Sequence, residues 1–265
     1  MEPFSTCSTR FVYKSGFSEK RFQTITGWTP AALRGKRVLD AGCGAGRFAE
    51  IAIRYGARLI AFDLSSAVDA CAETLRDADL WLAQASIFEP PFNHGMFDYV
   101  YCIGVIQHTP DPQRAIRSLC DLVRPGGQIG LWIYEKNWKA YVGTTGFKYA
   151  LRFITKRLPR KSQVRLSEIL VRALYPIVKL CRHAGFFGRV VTRLLPVAAA
   201  HLHDIDLSDA DLRTWIILDT LDMYSPAFDQ PQRYSDVVAV LREKGFGNIQ
   251  RHPHGAISVT ATRNA

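Results

Sequence analysis

The chain has 265 residues, 48% of them hydrophobic, enough for one sizeable core with an appendage or at most two small domains. The first ten residues lack an apolar signal region, no apolar run reaches about 18 residues, and the six cysteines form no Cys-x-x-Cys pair. This argues against a secretory leader, a spanning helix, a zinc site and a disulfide framework, and the expectation is a cytoplasmic protein with reduced thiols and no metal. The net charge of +10 is uneven: 14 Lys or Arg and one acid, Glu168, stand between Lys136 and Arg193, against 20 basic and 23 acidic residues elsewhere.

Residues 1–35 set Phe4, Phe11, Tyr13, Phe17, Phe22 and Trp28 among polar residues and read as a helical lead-in. Val38 and Leu39 form an apolar run ending in Asp40 and a cluster of glycines. A helix with Phe48, Ile51, Ala52 and Tyr55 at helical spacing follows, and Gly56 ends it. Residues 59–62 predict a second strand, ending in Asp63, and 68–76 a second helix. Residues 80–82 and 97–103 predict the third and fourth strands, 111–123 a helix, 124–127 a turn and 128–134 a fifth strand. Near the C-terminus, 234–244 predicts a helix stopped by Gly245. Residues 248–251 and 256–262 then predict two strands, close enough to pair as a hairpin.

Strands alternating with helices at this spacing predict an α/β fold: a doubly wound, mostly parallel seven-stranded sheet with an antiparallel C-terminal hairpin. Right-handed crossovers bring the strand C-termini to one edge, where ligands of such sheets bind. Residues 135–232 interrupt the scheme with a helical insertion after the fifth strand. There Leu166, Ile169, Leu170, Ala173, Leu174, Ile177 and Val178 make an apolar stripe, with Arg165, Arg172 and Lys179 every seventh residue on its flank. Pro176 is expected to kink or divide that helix, and Ser208-Asp209-Ala210-Asp211 reads as a capping box for the next one.

The chemistry-bearing residues lie at the strand ends. In Asp40-Ala41-Gly42-Cys43-Gly44-Ala45-Gly46-Arg47, alternate glycines let the backbone turn sharply and a ligand approach closely. A dinucleotide fingerprint wants a third glycine where Arg47 stands, so the loop suits a ligand without a pyrophosphate. Asp63 can accept two hydrogen bonds from vicinal ribose hydroxyls, or it can cap the next helix, a task open to Ser65 as well. Further stretches follow the third strand, at Gln84-Ala85-Ser86-Ile87, and the fourth, from Tyr101 to His108.

In order, Asp40 to Gly46, Asp63, Pro90-Pro91-Phe92, Phe97-Asp98-Tyr99-Val100, His108-Thr109-Pro110-Asp111-Pro112 and Leu122-Val123-Arg124-Pro125-Gly126-Gly127 resemble the class I S-adenosylmethionine-dependent methyltransferases, and among them the type 11 branch. The resemblance implies a Rossmann-like cofactor-binding core over 36–134, completed by 233–265, with 135–232 as a basic lid over the acceptor. It implies that Gly42, Gly44 and Gly46 cradle the methionine part of S-adenosylmethionine, with Asp40 nearby. Asp63, with Leu64 beside it, would hold the ribose, and Ser86 and Ile87 would flank the adenine. Many relatives have an acid where this chain has Ser86, so that contact loses its charge assistance. The backbone at Cys102 and Ile103 would line the sulfonium side.

Methyl transfer from a sulfonium is an in-line displacement in which the protein supplies alignment and water exclusion, worth up to roughly 7–11 kcal/mol. His108, just past the fourth strand, is the best candidate for a general base, ahead of Tyr134, Glu135 and Tyr13; a structural histidine holding the loop is the alternative. The Cys102-Ile103-Gly104-Val105 stretch lacks the Pro-Pro signature of many base amino-methyltransferases, and no cysteine follows a proline as covalent cytosine C5 methylation requires. His201-x-His203-Asp204 could ligate a metal, but its place before a capping box favours a solvated helix lead-in, and His252 and His254 fall in the hairpin loop.

The acceptor expected is a small or lipid-linked, anionic molecule, with O-methylation slightly favoured. The basic insertion has three readings: a solvated helix face, an anionic acceptor, or peripheral contact with an anionic membrane. Nucleic acid ranks lower, since no nucleic-acid-binding module accompanies it. A non-catalytic binding scaffold and an NAD(P)-dependent oxidoreductase are the rival readings; the second would want a glycine at Arg47 and no C-terminal hairpin. Nothing in the sequence bears on oligomeric state.

Overall fold

The computed structural model describes residues 16–136, 151–199, 208–253 and 256–265; Cys7, Tyr13, His201, His203, Asp204 and His254 lie outside them. The chain divides into two units, one of residues 1–136 with 228–265 and one of 137–227. In chain order the elements are α1 (Gly16–Thr26), α2 (Pro30–Leu33), β1 (Arg37–Ala41), α3 (Arg47–Arg54), β2 (Arg58–Asp63), α4 (Ala67–Thr74), β3 (Leu80–Gln84), β4 (Phe97–Ile103), α5 (Pro112–Leu122) and β5 (Val123–Ile133). The second unit has α6 (Arg160–Arg182), α7 (Gly185–Leu194) and α8 (Asp209–Tyr224), and the first resumes with α9 (Tyr234–Glu243), β6 (Phe246–Arg251) and β7 (Ile257–Arg263).

In the first unit, seven strands run in the order β3-β2-β1-β4-β5-β7-β6. Neighbours among β1 to β5 are parallel, and β7 runs antiparallel to both β5 and β6. The order reverses between β1 and β4, which opens a crevice at the C-terminal ends of those strands. The register sets Asp40 beside Tyr101 of β4 and Asp63 beside Gln84 of β3. The strands are apolar on both faces because both are covered. Leu39, Val100, Ile129 and Leu131 pack with Ile116 and Leu119 of α5 and Val240 and Leu241 of α9. Val38, Ala61 and Tyr101 pack with Ile51 and Ala52 of α3 and Phe22 of α1. Each such aliphatic or aromatic side chain, fully buried, stabilises the fold by about 1.5–3 kcal/mol. The described part of the lead-in, from Gly16 on, therefore contributes to the core: Phe22 lies edge-on to Tyr101, with ring centroids 5.3 Å apart.

The stretch at 124–127, expected as a turn ahead of a strand, is a bulge inside β5. Phe97 pairs with Val123 and Tyr99 with Gln128, so four residues sit opposite one. Asp98, the residue opposite, pins the bulge by accepting Arg124 Nε at 2.6 Å and the Arg37 backbone N–H at 2.8 Å. Burial works against ionisation of Asp98, yet these two donors outweigh it and hold the carboxyl below its ordinary range.

In the second unit, Pro176 does not divide the helix: α6 runs unbroken through it from Arg160 to Arg182. Of the expected stripe, α6 buries Val178 and, in part, Leu166, Leu170 and Leu174, but not Ile169, Ala173 or Ile177. Its buried side is Gln163, Ser167, Val171, Tyr175, Val178 and Cys181, whereas Ile169 and Ile177 face solvent. The polar members of that seam are satisfied locally, Gln163 Nε2 by the Thr155 carbonyl at 3.0 Å and Ser167 Oγ by the Gln163 carbonyl at 3.0 Å. Opposite them α8 supplies Leu212, Trp215, Ile216 and Leu221. Ser208 caps α8 by accepting the Asp211 N–H at 3.2 Å, and its hydroxyl donates to the Asp211 carboxylate at 2.6 Å. Among the described residues no helix is long and apolar enough to cross a membrane.

Candidate active site at the carboxyl edge of the sheet

The glycine loop leaves β1 at Asp40 and enters α3 at Arg47. Gly42, Gly44 and Gly46 have φ of 86°, 52° and 90°, a region that side chains rarely adopt. Backbone bonds from Gly42 N (2.8 Å) and Cys43 N (3.0 Å) to the Phe62 carbonyl fasten the loop to β2. A Cβ on Gly42 would lie 2.4 Å from Val105 Cγ2, and one on Gly46 would lie 2.9 Å from Cys71 Sγ. Gly46 thus gives the close packing that a dinucleotide loop obtains from its third glycine. Arg47 turns the other way, donating from Nε to Ser18 Oγ of α1 at 3.0 Å. Among the described residues a Cβ on Gly44 would meet nothing within 4 Å, which leaves open space on that side of the loop. Gly46, in the left-handed region, is the N-cap of α3 and makes no side-chain cap bond.

Two carboxylates flank the loop. Asp63 Oδ2 accepts the Gly44 N–H at 2.9 Å, and its Oδ1 accepts Ser65 N at 2.9 Å and Ser65 Oγ at 2.7 Å. Asp63 does not cap α4, whose N-cap is Ser66; Ser65 Oγ instead takes the Ala67 N–H at 3.2 Å. Asp40 is buried, and its Oδ2 accepts the Tyr101 hydroxyl at 2.9 Å. Burial pushes the Asp40 carboxyl up to about 7; the Tyr101 hydroxyl opposes the rise and the Asp63 charge adds to it.

Ser86 is half-buried after β3 and accepts the Phe88 N–H at 3.2 Å, while Ile87 is buried in the core. The Leu64 side chain is exposed, and its carbonyl accepts Gln84 Nε2 at 3.0 Å. Cys102 is fully buried in β4, and burial pushes its thiol well up. The Cys43 thiol is raised too, first by a hydrogen bond with Cys71 and then by burial. A protonated thiol is a poor nucleophile.

Past β4, residues Ile106–His108 form one 3-10 turn. His108 Nδ1 lies 3.1 Å from the Phe228 carbonyl. A carbonyl only accepts, so Nδ1 carries the proton there and Nε2 of the neutral ring carries the lone pair. The rings of His108 and Tyr134 meet edge-on at 5.5 Å, Tyr134 meets Trp132 at 5.4 Å, and the Arg21 guanidinium stacks 5.0 Å over Trp132. Glu135 is a weaker base candidate here, because its carboxylate is paired with Arg251 at 2.7 Å. His252 bonds Thr260 Oγ1 at 2.8 Å within the hairpin. Among the described residues no group of His, Cys, Asp and Glu could hold a metal.

Sequence reasoning missed Arg21, Phe228 and Gln230, which reach the site from distant parts of the chain and carry no local signal. Gln230 N donates to the Gln107 carbonyl at 2.8 Å, and its side-chain amide donates to the Thr109 and Pro110 carbonyls at 3.2 and 2.9 Å. It missed Gln107 as well, whose side-chain amide is fully buried with no hydrogen-bond partner among the described residues.

Residues 39–131 match the methyltransferase domain family. The chain is 35% identical over 161 residues to a ubiquinone biosynthesis O-methyltransferase of Aromatoleum aromaticum, covering 58% of this chain and 65% of that protein. It is 34% identical over 141 residues to the namesake from Ralstonia nicotianae, covering 48% and 55%. The chain thus spans less than two thirds of the length of these relatives. Among solved structures, a SAM-dependent methyltransferase from Methanosarcina mazei is similar in fold at a TM-score of 0.50 and 13% identity, covering 87% of this chain and 93% of that one.

Proposed function

We propose that this chain is a class I S-adenosylmethionine-dependent methyltransferase that moves the methyl group of that cofactor to a hydroxyl of a small or lipid-linked, anionic acceptor, with His108 as the general base; the match of residues 39–131 to the methyltransferase domain family and the likeness to O-methyltransferases support this reading. The glycine loop fits the cofactor. Its open side at Gly44, the first turn of α3 and the Asp63 carboxylate suit the amino-acid end and the ribose, and Ser86 and Ile87 border the adenine. When bound, the cofactor supplies a methyl group already activated on a sulfonium sulfur. The residues of the chain supply alignment, exclusion of water and a place for the proton.

The observation that carries the oxygen acceptor is the His108–Phe228 bond, because it sets Nε2 as the basic nitrogen at the carboxyl edge. Nε2 takes the hydroxyl proton as the acceptor oxygen takes the methyl. The relatives named O-methyltransferases favour the same atom. His108→Gln should lower kcat about 100-fold or more, with S-adenosylhomocysteine binding kept within threefold. The checks are radiolabelled methyl transfer to a panel of hydroxylated acceptors, and calorimetry. An unchanged kcat would exclude His108 as base, and tight binding without transfer to any acceptor would favour the scaffold reading.

A further inference from the structure

The second unit shows apolar side chains on the wrong side of its helices for a water-soluble surface. In α7, Gly188 and Thr192 are buried. A Cβ on Gly188 would lie 1.8 Å from the Cys181 carbonyl oxygen, so the backbones of α6 and α7 touch there and only glycine fits. That contact fixes the rotation of α7. Positions 186, 187, 190, 191 and 194 then fall on one outward arc. Phe186 and Phe187 are 76% and 78% exposed, and Val190, Val191 and Leu194 are exposed with them. The outward face of α6 repeats the pattern: Leu180 is 77% exposed, with Ile169 and Ile177 on the same side.

Basic residues line these arcs. Arg193 borders the α7 arc, and Arg165 and Arg172 border that of α6. Lys179 is less available, being paired with Asp209. A face bordered by Arg165, Arg172 and Arg193, in a segment that has 14 basic residues and one acid between Lys136 and Arg193, does not suit a second copy of itself, since a two-fold contact would set like charges together. It does suit an anionic lipid surface, into which aromatic and aliphatic side chains sink while Arg and Lys meet the headgroups. With no described helix able to span a bilayer, the contact is with the interface.

We propose that the outward faces of α6 and α7 form a docking surface for an anionic phospholipid bilayer, with Phe186 and Phe187 as the inserted anchors and Arg165, Arg172 and Arg193 as headgroup contacts. The surface holds the enzyme at a membrane irrespective of which atom it methylates.

The test is co-sedimentation of the full chain with vesicles of phosphatidylglycerol and phosphatidylcholine, and of phosphatidylcholine alone, at 0.1 and 0.5 M salt. Binding to the anionic vesicles is expected, weakened at high salt and absent on the neutral ones. F186E/F187E and R165E/R172E/R193E should each weaken it about tenfold or more. S-adenosylhomocysteine binding by calorimetry should stay unchanged in both variants, which shows that they fold. No binding to anionic vesicles, or equal binding by F186E/F187E, overturns the proposal. So does a dimer in solution that F186E/F187E dissociates, because the face would then be covered by a second copy.

Discussion

Asp40 is a buried carboxyl whose protonation the fold shifts. Folding carries its carboxyl from 3.8 to about 7, first through burial, so the folded state favours the protonated form. The stability this group contributes is therefore fully present below pH 3.8 and is lost as pH rises through about 7. Asp40→Asn holds the neutral form at every pH. The melting temperature of the wild type should fall relative to that variant by more than about 3 °C between pH 5 and 8.5, followed by calorimetry. A constant difference across that range would show that Asp40 does not titrate there. The cofactor brings a positive sulfonium, so its affinity should rise over the same interval in the wild type only. Asp40, Asp63 and the glycines were legible because a strand, a carboxylate and a turn lie within a few residues of one another. The Tyr101 bond to Asp40 was not legible, because it joins strands 61 residues apart.

At the scale of elements, the segment returning from the second unit does more than connect. Phe228 and Gln230 lie along the 3-10 turn, and Gln232 is stitched to the exit of β5 by Gln232 N to the Tyr134 carbonyl (2.9 Å) and Lys136 N to the Gln232 carbonyl (2.7 Å). Gln230→Ala removes the two side-chain bonds to Thr109 and Pro110 and should cost about 1–2 kcal/mol in denaturant unfolding. It should also lower kcat and raise the acceptor KM while S-adenosylhomocysteine affinity stays within threefold. An unchanged kcat and KM would mean that this segment does not position His108. Such a contact cannot be read from a sequence, since its two sides are about 120 residues apart. The strands of the sheet could be read, because each is an apolar run ending in a turn residue. The bulge at 124–127 could not, because it depends on Asp98 across the ladder. The α6 stripe was visible, but not which of its members are covered. Periodicity marks an apolar face without saying what covers it, and here the neighbouring face, with Gln163 and Ser167, meets α8.

The molecule as a whole is a complete sheet interrupted by a self-contained helical unit. All seven strands, the helices that cover them, the glycine loop and His108 belong to the first unit, whose edges at Glu135 and Gln232 already form a bridge. The second unit holds 14 basic and 7 acidic residues against 20 and 17 elsewhere, and its basic run, which ends at Arg193, was legible from composition alone. If the division is physical, the second unit adds no burial that the sheet requires. Replacing residues 137–227 by a flexible Gly/Ser linker of about eight residues, which retains Phe228 to Gln232, should leave a protein that unfolds cooperatively and binds S-adenosylhomocysteine within about threefold of the full chain. The same protein should lose its affinity for anionic vesicles, because every anchor and headgroup contact proposed above is removed. Loss of cooperative unfolding would show that the sheet draws stability from the insertion, and retained vesicle binding would place the lipid contact on the first unit.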